Sequence, residues 1–437
     1  MGKRANNRKR KNKQQLMDKL KSMNSKVSYS KNSIIKILGV IAVIGICLIS
    51  FNKFYIYNDK IAKNIMIEST DVSNLTKEET LAILKDEYKP QNIKLNYEGK
   101  QYQILPEDIE LTYNIEEAIN QAYNYTKQGS YLENIKTYFA TIKNGKKIRI
   151  NSTYNEAKLS SSIENISKKI NVKTRDAKVS VDGNGNISVT PSLVGKEMDI
   201  VSNKEAIYEI IKSKNYKDLD IKVVLKQPEV NTEQAKTVNT LLGEYSTRFS
   251  MGQTGRASNV IRSANSTSNV LLMPGQEFSY NALTGPRIKS NGYKDAPVIV
   301  KGKIEQESGG GVCQTSSTLY NAALYSGLEI TSVQNHSLKS KYIPVGQDAM
   351  VSYGGSDFRF KNPYKHPVYV KNISGNGILI SRIYGNGEDK QNISIKVDKF
   401  KYSGLDAAKT YRQYKDASGN VIKTEYINTS VYKKPKK

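Results

Sequence analysis

Three consecutive glycines, Gly309-Gly310-Gly311, run straight into Val312-Cys313-Gln314-Thr315-Ser316-Ser317-Thr318-Leu319-Tyr320-Asn321-Ala322-Ala323-Leu324-Tyr325-Ser326 and then Gly327. Leu319, Ala322 and Ala323 fall on one face at helical spacing, with Tyr320 and Leu324 at its edge, so a helix is expected to begin near Val312 and to stop at Gly327. Cys313 then sits in the first turn. There the unpaired backbone N–H groups and the helix dipole favour an anion and draw a thiol's pKa down. The glycines allow a sharp turn and close approach of a substrate, and the same N–H groups are placed to hold an oxyanion.

A thiolate mechanism also wants a base. Downstream, Leu328-Glu329-Ile330-Thr331-Ser332-Val333 alternates like a strand and is followed by His336. A cysteine at a helix start with a histidine beyond a later strand is the order used by papain-like enzymes, where imidazole faces thiol across a cleft. His366, in the turn-like run Lys361-Asn362-Pro363-Tyr364-Lys365-His366-Pro367, reads as a surface histidine. The group that orients the imidazole is Asp357 or Asp348; spacing does not choose, and Asp357 is taken as the expectation. Arg359 lies between Phe358 and Phe360 on an alternating strand and faces away from both, toward a ligand carboxylate or toward water.

Outside this segment the chain is lysine-rich. The net charge of +26 over 437 residues suggests nucleic acid, but it is unevenly spread: before Ile34 there are eleven Lys or Arg against one Asp, +10 in that tail alone. Nucleic-acid binding is therefore not expected. From Ile34 to Phe51 the residues are apolar except for Lys36 and a few small ones, close to the roughly 18 to 20 needed to cross hydrocarbon. The basic flank precedes it, which keeps 1–33 cytoplasmic and sends the rest outward. The residues after it, Ser50-Phe51-Asn52-Lys53-Phe54-Tyr55, lack a small-x-small cleavage pattern, so an uncleaved anchor at 34–52 is expected rather than a removed signal peptide. Of the two cysteines, Cys47 lies inside this apolar run. Cys313 therefore has no partner in its own chain and is a buried inert residue, an intermolecular bridge or a reactive group.

Residues 53–235 read as two mixed α/β units. Thr76 followed by Glu79 fits a capping box, strands are expected near Ile93–Tyr97 and Tyr102–Leu105, and a helix near Asn114. The succession strand, proline, helix from Tyr102 through Pro106 to Ile119 is repeated from Ile187 through Pro191 to Ile207. Asp182-Gly183-Asn184-Gly185-Asn186, between Val179-Ser180-Val181 and Ile187-Ser188-Val189, is a hairpin turn. Neither unit holds Cys or His, so a binding or spacer role is the simpler reading. Residues 236–385 carry both histidines and the outward cysteine, and 386–437 read as an appended β element with a solvated basic tail. The whole is an α+β chain. No metal cluster, phosphate loop or dinucleotide fingerprint is present, and no cofactor is expected.

The segment from about Ser246 to Val370 resembles the VanW domain family. The resemblance rests on Arg256 with Asn259, Pro274 through Asn281, Gly285-Pro286-Arg287, Gly292-Tyr293, Gly309 through Asn321, His336-Ser337, Tyr342-Ile343-Pro344, Gly346 through Ala349 and Asp357 through Asn362. Gln347 stands where an arginine is usual. Residues 60–230 resemble the YoaR-like peptidoglycan-binding repeats that accompany such domains. The resemblance implies cell-wall work, and clostridial VanW-type proteins are associated with L,D-transpeptidation; the usual transpeptidase box of Ser/Thr-His-Gly-Cys is absent here. The arrangement of Cys313 and His336 makes them the expected nucleophile and base, with Asp357, or else Asp348, as the orienting group. Arg287 and Arg359 are expected on stem-peptide carboxylates, with Gly310, Gly311, Gln314 and Tyr320 lining the substrate. The implied partners are peptidoglycan stem peptides, and the membrane through 34–52. A non-catalytic wall-binding protein and a cysteine peptidase or amidase are the competing readings.

Overall fold

The computed structural model describes residues 14, 15, 17–19, 21, 31–300 and 303–434. Most of the basic N-terminal tail and the last three lysine-rich positions lie outside the described residues. Lys31–Phe51 is α-helical and continues into a π-helical turn, Asn52–Ile56. Over Lys31–Ile56 this helix is long and apolar enough to cross a membrane, and its apolar window is nowhere buried. An anchor and a signal sequence share those properties.

The chain divides into two compact units. The first comprises the described residues of Met1–Lys169 together with Met198–Lys222. Its core gathers Ile56, Ile65, Ile67, Leu84, Ile115, Ile119, Tyr138 and Ile148 from short strands and four-turn or shorter helices. The expected capping box is present at Lys77–Glu87: the Glu79 amide donates to Thr76 Oγ1 at 3.2 Å and the Thr76 amide donates to the Glu79 carboxylate at 2.8 Å. Such a cap holds a helix start by about 1 kcal/mol. Ile93–Tyr97 and Lys100–Ile104 pair antiparallel, and helix Ile115–Asn124 starts after Asn114 as the spacing predicts.

The second unit comprises the described residues of Ile170–Glu197 and Val223–Lys437. The hairpin Lys178–Val181 with Ile187–Thr190 belongs to it, its turn tied by Asp182 to the amides of Asn184 and Asn186. The hairpin's Val179 and Val181 pack with Ala235, Val238, Tyr369 and Tyr384. The centre is a four-stranded antiparallel sheet in the order Thr240–Arg248, Ile378–Gly385, Val368–Gly375, Val270–Leu272. Helix Val312–Tyr325 lies in the core beside it with Leu319, Ala322, Ala323 and Leu324 fully buried. A smaller sheet, Glu277–Ser279, Arg359–Lys361, Glu329–Ser332, closes the core with Phe278, Phe358 and Phe360. Three long antiparallel strands, Ile393–Tyr402, Leu405–Lys415 and Val421–Tyr432, form the C-terminal sheet.

Candidate thiol site

Cys313 is the second residue of helix Val312–Tyr325, as its spacing predicts, and is half-buried. The turn that delivers it uses the glycines for packing. Gly311 has φ of 105°, and a Cβ there would stand 2.9 Å from Arg256 Cγ. A Cβ on Gly310 would stand 2.7 Å from the Ala296 carbonyl oxygen, and one on Gly309 2.7 Å from Arg287 Cβ. Buried Asn259 secures the same turn, donating to the carbonyls of Lys294 at 2.7 Å and Gly310 at 2.9 Å. Gly310→Ala is expected to destabilise the domain by about 1–3 kcal/mol through overpacking against backbone that cannot swing aside. Thermal unfolding measures this, and an unchanged midpoint would show that the strand at Ala296 yields freely.

Gln314, expected to line the substrate, is instead completely buried together with Thr315-Ser316-Ser317-Thr318. Their polar atoms are spoken for. Thr315 accepts from Ser263 at 2.9 Å, Thr318 pairs with Thr247 at 2.9 Å, and Gln314 Nε2 donates to Thr247 Oγ1 and to the Arg248 carbonyl, both at 2.9 Å. Ser316 and Asn321 donate to the backbone carbonyls of Ala349 at 2.6 Å and Gln347 at 2.8 Å, and the Ala349 amide donates to Ser317 Oγ at 3.0 Å. A buried polar group without a partner costs about 1–3 kcal/mol, so this matched set fixes the loop 347–349 against the cysteine helix.

That loop carries Asp348, which is 1% exposed. His336 follows strand Glu329–Ser332 in an irregular segment, and both its backbone N–H (2.6 Å) and its Nδ1 (2.7 Å) meet Asp348 Oδ2. The imidazole and the thiol interact electrostatically. Burial alone pushes the Cys313 thiol up, but the interaction with His336, with Arg287 behind it, brings it net below its ordinary value. Burial likewise pulls His336 down, yet its bond to Asp348 and its interaction with Cys313 outweigh that and push it up to about 10. The opposite shifts describe a thiolate facing an imidazolium.

The remaining expected residues fall in different places. Asp357 is not brought to the imidazole: it accepts from Ser279 Oγ at 2.6 Å, the Asn281 amide at 2.9 Å and Arg359 Nε at 2.8 Å. The orienting position falls to Asp348 instead. Arg359 is exposed at the start of the middle strand of the small sheet and is already engaged by Asp357 and by Glu277, the latter at 3.2 Å. Tyr320 is fully buried, its ring edge-on to Phe358. His366 is part-buried and its Nδ1 lies 3.0 Å from Asp389.

Arg287 does border the site. Its Nη2 donates to Asn281 at 2.5 Å and to Thr284 at 2.9 Å, while Nε and Nη1 are buried and have no partner. Arg256, on the other side of the glycine turn, donates to Gln314 Oε1 at 2.7 Å, stacks over Tyr342 at 6.0 Å and interacts electrostatically with the thiol. Among the described residues neither arginine forms an ion pair with a carboxylate. Arg256 and Tyr432, whose hydroxyl donates to Asp348 Oδ1 at 2.5 Å, are site residues that sequence reading left out. Arg256 stood among the family-like positions; Tyr432 carried no signal at all.

A cavity of about 720 Å³ in this unit runs along helix Thr254–Ser266 past Met251, Ile261 and Arg262, with no thiol-site residue in its lining. In the first unit a polar cavity of about 330 Å³ is lined by Glu68, Tyr88, Tyr113, Lys147, Lys214 and Tyr216.

Residues 255–384 match the family described as VanW like protein, and residues 102–220 match the one described as "Putative peptidoglycan binding domain". Protein YoaR of Bacillus subtilis, which bears the description uncharacterized, is 33% identical over 220 residues, 50% of this chain and 73% of that one. Vancomycin B-type resistance protein VanW of Enterococcus faecalis is 32% identical over 127 residues, 28% of this chain and 46% of its own length. No solved structure matches the chain.

Proposed function

The chain belongs to the VanW-domain proteins, with a peptidoglycan-binding region ahead of that domain, and on that premise we propose that it is a cysteine acyltransferase forming 3-3 peptidoglycan crosslinks. The observation that carries the reading is the buried Cys313, His336, Asp348 array. The Cys313 thiolate attacks the carbonyl of the third residue of a tetrapeptide stem. At the helix start the Val312 and Gln314 amides already donate to the carbonyls of Gly309 and Gly311 at 3.2 and 3.0 Å, which leaves the tetrahedral oxyanion to the Cys313 amide. Collapse of that oxyanion forms a thioester and expels D-alanine, whose amine takes the proton from the His336 imidazolium. A side-chain amine of a second stem then attacks the thioester, gives its proton to His336 and leaves the stems joined, with the thiolate restored. The chain is held to the cell membrane by residues 34–52, with its N-terminus cytoplasmic and both units at the wall.

Arg287 and Arg256 favour a donor with a free carboxylate next to the scissile carbonyl. Among the described residues neither has a carboxylate partner, so a donor carboxylate would supply the counter-charge to two cations that act on the thiol. Wild-type protein given tetrapeptide muropeptides is expected to yield crosslinked dimers and a thioester adduct visible by mass spectrometry. Tripeptide without dimer identifies a hydrolase, and neither product identifies a binder. Converting the donor's terminal carboxylate to an amide, or Arg287→Ala, is expected to lower kcat/KM by about 10- to 100-fold, since bonds to charged groups contribute roughly 1.5–3 kcal/mol. Equal turnover of acid and amide removes the arginines from donor recognition.

A further inference from the structure

We propose that Tyr432, delivered by the C-terminal sheet, is a positioning residue of the thiol site, acting on the reaction through Asp348. The inference rests on the acyltransfer reading above for its kinetic consequence, but its geometry stands apart from any substrate.

The C-terminal segment reads in sequence as an appendage, yet Ala407, Ala408, Thr410, Arg412, Ser430 and Tyr432 are all buried. Arg412, 1% exposed, donates to the Leu328 carbonyl at 2.8 Å and is itself neutralised by Glu425 through bonds of 2.9 and 2.8 Å. Thr410 Oγ1 donates to the Gly346 carbonyl at 2.7 Å, fastening the middle strand to the loop that leads to Asp348. On the other loop, Asn335 donates to the Val431 carbonyl at 3.1 Å and the Lys433 amide to the Ser337 carbonyl at 2.7 Å, so His336 is bracketed on both sides.

Tyr432 itself grips the Asp348 loop at two points. Its oxygen accepts from the Gly346 amide at 2.8 Å and its proton goes to Asp348 Oδ1 at 2.5 Å. Asp348 Oδ2 is taken by His336. Both carboxylate oxygens are thereby assigned, and the carboxylate cannot rotate without leaving a buried oxygen bare. A carboxylate locked in plane holds the imidazolium with its free face toward the thiol. Without the Tyr432 proton, Asp348 turns, the imidazolium is less well held and the thiolate fraction near neutrality falls. Besides Cys313 itself, the titratable and charged groups facing the array are Tyr320, Tyr342, Tyr432, Arg256 and Arg287; burial pushes all three tyrosines up, out of the working range, and the two guanidinium groups stay charged throughout it. Any change of profile near neutrality therefore reports the thiol and imidazole.

The test is the rate of Cys313 alkylation by iodoacetamide against pH in the full-length chain, with kcat and KM on muropeptide donor alongside. Tyr432→Phe is expected to slow alkylation at pH 7 by about ten-fold, equivalent to one lost bond to a charged group, to lower kcat and to leave KM unchanged. Thr410→Val removes a loop bond without touching the carboxylate and is expected to lower the unfolding midpoint while leaving the alkylation profile in place. In an Asp348→Asn background, adding Tyr432→Phe is expected to change the rate by less than two-fold. A wild-type profile in Tyr432→Phe, an equal displacement in Thr410→Val, or independent multiplication of the two effects in the double variant would each overturn the assignment. Should the wild type show the displaced alkylation profile but turn over no peptide, acyltransfer fails and the positioning role stands.

Discussion

Cys313→Ala is expected to abolish crosslinked dimer, tripeptide and thioester adduct together, a loss on the order of 10⁴ or more in turnover, as for any enzyme stripped of its nucleophile. The size follows from what the sulfur does. It is the atom to which the acyl group is transferred, so no neighbouring group compensates for its removal, unlike a binding residue that shares its load. Stability should scarcely move. The residue is half-buried at the rim of the core, and besides its electrostatic interactions its Sγ donates a long hydrogen bond, 3.5 Å to the Val351 carbonyl. His336 keeps its Asp348 partner in the variant, so the fold around it is retained. Cys313→Ser keeps the shape but presents a hydroxyl that the imidazolium cannot hold ionised, and is expected to fall nearly as far. The mass-spectrometric muropeptide assay decides both. If the alanine form crosslinks at the wild-type rate, the thiol is not the nucleophile and the buried His336–Asp348 pair requires another explanation.

The part of this site that was legible in sequence is the part built from local rules. Glycines followed by a small-residue helical stripe announce a helix start, and a lone outward cysteine within it invites a reactive reading; a strand followed by histidine places the imidazole approximately. What was not legible depends on contacts between distant residues. Asp348 and Asp357 both sit in glycine-containing loops, and nothing local separates them. The choice is made by the buried serines and asparagine of the cysteine helix, which pull the 347–349 backbone into place. Those same residues look solvated in sequence because hydroxyl-rich runs usually are, and here each finds a partner more than 25 residues away. Arg359 appeared free for a ligand because its partner Glu277 is 82 residues off. Tyr432, 84 residues from Asp348, ends an alternating strand and gives no sign of its hydroxyl's destination. The first unit was more transparent, because its capping box and hairpins are short-range devices that work within a few residues.

Asp348→Asn is the other substitution with a large expected effect, and its sign can be worked out from the pair it supports. In the wild type His336 is pushed up to about 10 from an ordinary 6.5, and Cys313 lies below its usual value. Between the two the thiolate and imidazolium coexist, so alkylation of Cys313 should rise at a lower pH than that of an ordinary thiol. The asparagine keeps the size of the aspartate but not its charge, and the imidazolium loses its counter-ion in a buried site. His336 then falls back toward or below its ordinary value, because burial opposes the charged ring once nothing offsets it. The thiol loses the cation that held it down and its inflexion climbs. At pH 7 the variant should lose about 10²- to 10⁴-fold in kcat, the range expected when a general acid and base is disarmed, with KM little altered because Arg256 and Arg287 are untouched. Stability carries the same signature. A histidine raised on folding stabilises fully below its unfolded value near 6.5 and loses that contribution as pH rises through about 10. The gap in unfolding midpoint between wild type and Asp348→Asn should therefore be widest at pH 6 and narrow toward pH 10. A gap that widens with pH, or a variant whose alkylation profile overlays the wild type, would mean that Asp348 does not hold His336 in its charged form.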